Sequence, residues 1–220
     1  MMSRIFTYTW LGLVAAGAVL ATGCASKAQR EAKLEASAQA FMDQARYPEA
    51  IIQYRNALSL APTAATLEFK LGQAYAKNLQ YQDAFLAYNK AVALQHDYPA
   101  AQLAVGEIYL VSKQYDRAAG NAQAVLSKHP SDPEATILQA NVEAAQGKVA
   151  AAEQALEALL KVRDESVPAH LTLGIYFAAS KRYDDAKLQF QRAIQLDPHS
   201  APARNDMASL LIAQGDLTGA

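Results

Sequence analysis

The chain has 220 residues, with 20 Lys+Arg against 21 Asp+Glu, four His and one Cys, so neither an intramolecular disulfide nor a cysteine-based metal cluster is available. The near-balanced charge, without a basic stripe, argues against nucleic acid as a partner. An apolar fraction of 52%, much of it Ala, with six Phe and one Trp, favours close-packed helices over a sheet with aromatic layers.

In chain order, the first element is an address. Arg4 supplies one positive charge, residues 5–20 are mostly apolar, and Ala21-Thr22-Gly23-Cys24 follows at once. This is the layout of a secretory signal, and the apolar run falls short of the roughly 20 residues of a comfortable membrane span. The small residues ahead of the lone cysteine resemble a bacterial lipoprotein lipobox, except that Leu20 stands one place early and Ala21 takes its position. The resemblance implies a signal peptide over 1–23, diacylation of the Cys24 thiol, and a lipidated tether over 24–30. Ala25 after the cysteine is compatible with sorting to the outer membrane. The expected location is therefore the bacterial cell envelope, lipid-anchored on the periplasmic face of the outer membrane.

From Glu31 onward the chain keeps a 34-residue period: units 31–64, 65–98, 99–132, 133–166 and 167–200, and a partial unit 201–220. Position 20 reads Ala50, Ala84, Ala118, Ala152, Ala186 and Ala220, and position 8 reads Ala38, Gly72, Gly106, Ala140, Gly174 and Ala208. Small residues at fixed places mark close helix crossings, since packed interiors do not absorb extra volume cheaply. Large residues recur between them: Phe41, Tyr75, Tyr109 and Phe177 at position 11, Tyr47, Tyr81, Tyr115 and Tyr183 at 17, and Tyr54, Tyr88 and Phe190 at 24. These are expected to fill the gaps beside the crossings. Apolar spacing within each unit predicts two antiparallel helices separated by a polar turn at positions 14–16. Pro62, Pro130 and Pro198 end second helices, while Pro99, Pro133, Pro168 and Pro202 fall in the first turn of the next.

The chain resembles a tetratricopeptide repeat protein in this small-8, aromatic-11, Ala-20, aromatic-24, Pro-32 pattern, over residues 31–220. The resemblance implies an all-α fold, a right-handed α-solenoid of antiparallel helix pairs with a concave face lined by the first helices. Position 4, often Trp in the family, is here Leu34, Glu68, Gln102, Thr136, His170 and Arg204. Unit four is the weak copy, with Glu143, Val149 and Leu156 at the three aromatic positions, and Gly120 in unit three marks the place where the array is expected to open first. The apolar Met207, Leu210, Leu211 and Ile212 in the final helix suggest a fragment of a longer protein; the alternative to a scaffold is the N-terminal interaction part of a protein whose catalytic or transport domain lies beyond residue 220.

By the same resemblance, positions 5, 9, 12 and 13 point into the groove. The candidate partner-binding residues at position 5 are Phe69, Leu103, Ile137 and Leu171; those at position 9 are Gln73, Glu107 and Asn141. An apolar stripe flanked by amide and acid groups suits an extended segment or an amphipathic helix, although ordinary packing within the array also explains position 5. The basic clamp by which some family members hold a terminal carboxylate is not matched. No catalytic residue, metal site or cofactor is expected: His96, His129 and His199 fall in turns, His170 stands alone, and Asp184-Asp185 opens a helix, where the dipole favours acids. The expectation is a membrane-tethered scaffold that binds protein or peptide segments, takes no small-molecule substrate and is not an enzyme. By resemblance it serves pilus assembly or an exosortase and exopolysaccharide system.

Overall fold

The computed structural model describes residues 26–215; the signal, Cys24 and Ala220 lie outside them. Every regular element among the described residues is a helix: α1 Lys27–Asp43, α2 Tyr47–Leu60, α3 Ala65–Lys77, α4 Tyr81–Leu94, α5 Pro99–Val111, α6 Tyr115–Leu126, α7 Pro133–Ala145, α8 Val149–Leu160, α9 Val167–Ala179, α10 Tyr183–Leu196 and α11 Ala201–Gln214. Odd-numbered helices are the first helices of units and even-numbered ones the second. The chain divides into two compact units, Met1–Pro62, whose described part holds α1 and α2, and Thr63–Ala220, which holds α3 to α11.

In the first unit α1 starts at Lys27, inside the segment expected as tether. The reason is local: Ser26 Oγ accepts the Gln29 N–H at 3.1 Å and Gln29 Oε1 accepts the Ser26 N–H at 2.8 Å, a reciprocal capping box. Ala38 and Ala50, each 0% exposed, mark the crossing of α1 and α2, and the buried Tyr54 donates its hydroxyl to Gln39 Oε1 at 3.3 Å. One face of the pair is an open cleft of about 570 Å³, lined by Arg30, Lys33, Leu34, Gln53, Asn56 and Leu60 among others.

In the second unit the position-20 alanines 84, 118, 152 and 186 are all 0% exposed. What keeps position 8 small is a ring rather than the neighbouring helix backbone. A Cβ on Gly72 would stand 2.5 Å from Tyr88 ring carbons, and one on Gly174 2.5 Å from the Phe190 ring, so the position-24 aromatic seats itself on the glycine of its own unit. Unit three has Ala122 at position 24, and there Leu138 of the next unit fills the seat, 2.5 Å from a Cβ on Gly106. Unit four uses Leu156, which is 0% exposed within a cluster that includes Phe177, Phe190 and Leu210. The copy that looks weak by its aromatic count is thus fully packed. Of the position-17 tyrosines, Tyr115 and Tyr183 are half-buried and pack against core clusters, as gap fillers should, and Tyr47 is half-buried, whereas Tyr81 is 58% exposed.

Each hairpin turn closes through one left-handed residue at position 15: Ala45, Leu79, Lys113, Gly147, Lys181 and Gly215, with φ between 55° and 82°. Only two of the six are glycine, so four turns carry a Cβ where the left-handed region disfavours it. At the unit junctions, Asp132, Ser166 and Ser200 cap α7, α9 and α11, ahead of the prolines expected in the first turn. Position 4 has its own task here. Gln102 donates to the His96 carbonyl at 2.9 Å, His170 Nε2 lies 2.9 Å from the Asp164 carbonyl, and Arg204 donates to the His199 carbonyl at 3.2 Å. Polar side chains at the place of the family's Trp tie each of these units to the turn that precedes it.

Candidate partner-binding groove

Within the second unit, α5, α7 and α9 each touch the next first helix, whereas consecutive second helices make no contact of comparable extent among the described residues. Helices packed more closely on one side than on the other curve the stack toward that side, so the first helices line the concave face.

The four position-5 residues form the floor of this face. Phe69 is half-buried, its ring 5.5 Å from that of Tyr88 and 5.2 Å from that of Tyr98. Ile137 and Leu171 are half-buried against the cluster around Leu156 and Phe177. Leu103 is a correction: at 7% exposure it packs with Ala118, Ala122, Val125 and Leu138, and so belongs to the core rather than to a surface that could receive a ligand. Its side chain is drawn in because Ala122 leaves room where other units carry a position-24 ring.

Position 9 supplies the accessible groups. Gln73 and Glu107 are exposed, while Asn141 is half-buried and its Oδ1 accepts the Tyr176 hydroxyl at 2.5 Å. The same column continues with Ile175, 47% exposed, and the exposed Ser209. One helical turn beyond Glu107 on the same face of α5, Val111 is 84% exposed, and Ile212 on α11 is 57% exposed. Val111, Ile175 and Ile212 stand at positions 13, 9 and 12, columns expected to face the groove, although they were not among its named residues.

Electrostatically, burial dominates this face. Burial pushes the Tyr88 phenol up to about 12, with the charge of Glu107 adding to the effect, and burial pushes Tyr176 up to about 12, with Glu143 adding. The Glu107 carboxyl is raised too, by desolvation: its side chain reaches solvent but surrounding protein displaces much of its hydration. The surface can offer hydrogen-bond acceptors, one acid and scattered apolar contacts.

His96, His129 and His199 are exposed, as turn positions imply, whereas His170 is buried at 4% exposure between the Gln189 amide oxygen, 2.7 Å from Nδ1, and the Asp164 carbonyl. Asp185 pairs with Arg182 at 2.8 Å in the first turn of α10. Among the described residues no three His, Cys, Asp or Glu side chains gather as metal ligands would, and no described helix is long and apolar enough to cross a membrane.

Two tetratricopeptide repeat models match residues 103–169 and 177–220, and a TPR repeat model matches residues 38–78. The chain is a tetratricopeptide repeat protein.

Solved structures of such repeat proteins share its fold. A thermophilic TPR protein of Thermus thermophilus superposes with a TM-score of 0.73 at 19% identity, over 83% of this chain and 99% of that one. PilF of Pseudomonas aeruginosa gives 0.65 at 15% identity, over 87% of each chain. YrrB, described as a TPR protein with an unusual peptide-binding site, gives 0.52 at 20% identity, over 78% of this chain and 89% of that one. No curated protein sequence matches this chain. Among the described residues, the α-solenoid of helix pairs presents an inner surface of the kind that takes protein segments.

Proposed function

We propose that this repeat protein is a scaffold that holds partner protein segments along its first-helix face, and that Cys24 carries lipid tethering it to the bacterial envelope at the periplasmic face of the outer membrane. The observation that carries the binding reading is the division of labour on that face. Position-5 residues are packed into a floor, while Gln73, Glu107, Val111 and Ile175 stand out from it. Protruding polar and apolar groups over a rigid base are what main-chain and side-chain recognition of a segment requires. YrrB supports it, as a relative in fold described with a peptide-binding site. The anchor rests on the sequence of residues 1–24, and the start of α1 at Lys27, soon after Cys24, suits a first helix held close to a bilayer. Service in pilus assembly or in exopolysaccharide export suits such a tethered scaffold.

The experiment is affinity capture from envelope membranes with the full chain and with a Val111→Glu/Ile175→Glu variant. Loss of partner recovery is expected for the variant; equal recovery would refute the groove. Labelled fatty acid is expected on the wild-type chain and not on Cys24→Ala, so label retained by that variant overturns the anchor.

A further inference from the structure

Glu107 is the one acid in the position-9 column, between Gln73 on α3 and Asn141 on α7 in register. Asn141 already serves Tyr176. Two other acids pressed against the protein in this unit have cations: Glu68 pairs with Lys90 at 2.5 Å and Glu153 with Arg182 at 2.9 Å. Among the described residues no Lys, Arg or His pairs with Glu107, although desolvation acts on it. A carboxylate that has lost part of its hydration without a counter-charge is disfavoured in the free protein, and an arriving cation relieves that cost.

The surroundings of Glu107 suit a cation on a long stem. Tyr88, buried beneath the face, lies close enough to feel its charge and packs on the half-buried Phe69, which packs on the half-buried Tyr98, so the accessible floor beside the acid is formed by Phe69 and Tyr98. Val111 adds an exposed apolar surface one turn along α5. Lysine and arginine lay their methylenes along such surfaces and keep the charged head at an anion.

We propose that Glu107 determines the specificity of the groove, and that the segment bound there carries a lysine or arginine whose head pairs with the Glu107 carboxylate and whose stem lies over the apolar floor. The inference rests on the reading that this face binds protein segments. A segment with a neutral residue at that point would leave the acid unpaired, and discrimination comes from that penalty as much as from the attraction.

The full chain is used to select from a display library of random peptides, in parallel with Glu107→Gln, Glu107→Lys and Val111→Glu/Ile175→Glu. Wild type is expected to enrich Lys or Arg at one position, Glu107→Gln to lose that enrichment while keeping the apolar positions, and Glu107→Lys to favour Asp or Glu there. A selected peptide and its norleucine analogue should differ by about tenfold or more in Kd on wild type and by less than about twofold on Glu107→Gln. Basic enrichment that survives Glu107→Gln, or its absence from peptides that do bind wild type, overturns the role of Glu107 alone. Failure to select any peptide, or selection of the same peptides by the double-glutamate variant, overturns the groove itself and this inference with it.

Discussion

The Tyr88 ring rests on the backbone of Gly72, so closely that a Cβ at residue 72 would stand 2.5 Å from two ring carbons. The ring is buried at 6% exposure and cannot swing aside into solvent. Gly72→Ala is therefore expected to cost about 1–3 kcal/mol, the usual range for overpacking. Urea unfolding measures it, and Tyr88→Leu in the same background should recover part of the loss, as contacting residues are not additive. Gly120→Ala is the control: its Cβ meets nothing within 4 Å, and the helix should gain about 0.5–1 kcal/mol.

Gly147 isolates a backbone effect. A Cβ there also meets nothing within 4 Å, but φ is +82°, so Gly147→Ala should lose about 1 kcal/mol through conformation alone. The reverse change at Lys113, with φ of 58°, relieves the same strain but adds freedom to the unfolded chain, and should leave the denaturation midpoint nearly unmoved.

Leu156 tests the packing of unit four. It is 0% exposed, and Leu156→Ala should cost about 2–5 kcal/mol, like any large truncation in a core. A loss below about 1 kcal/mol would show that unit four is loosely held after all.

The repeat register, the helix pairs and the capping prolines were legible in the sequence because each is a single-column property: one position, one residue type, one physical demand. The two-residue relations were not. That Leu138 stands in for the ring missing at Ala122 depends on a side chain 16 positions away in the next unit, and no column records it. That substitution turns Leu103 into core, although its neighbours in register remain half exposed. The polar residues at position 4 read as degeneracy until their acceptors, the carbonyls of the preceding turns, are in place.

Glu107 gives stability a pH dependence of known sign. Its folded pKa is raised, so the fold disfavours the charged form; the protonated state is the better tolerated one below the ordinary carboxyl value, and stability is lost as pH rises through the folded value. Glu107→Gln should raise the melting temperature at pH 7 and leave it unchanged near pH 3. A variant that melts lower at pH 7 would mean that an attractive partner for Glu107 exists within the chain.

Tyr88 and Tyr176 should ionise as a late pair. Ultraviolet titration is expected to show these two phenols losing their protons only at about 12. Raised phenol values mean that the neutral forms are the folded ones, so their contribution is intact below pH ~10 and disappears as pH climbs through 12. Tyr176→Phe removes one of the late ionisations and, with it, the bond to Asn141, at about 0.5–1.5 kcal/mol.

The contact of each first helix with its successor from α5 to α11 sets a ruler along the inner face. Packed helix axes lie about 8–10 Å apart, and an extended chain advances about 3.3 Å per residue. A strand running along these helices would therefore move on by roughly three residues for every helix it crosses. The protein would read such a strand in triplets, with one position-9 side chain facing each step, and Glu107 would inspect a single place in that text.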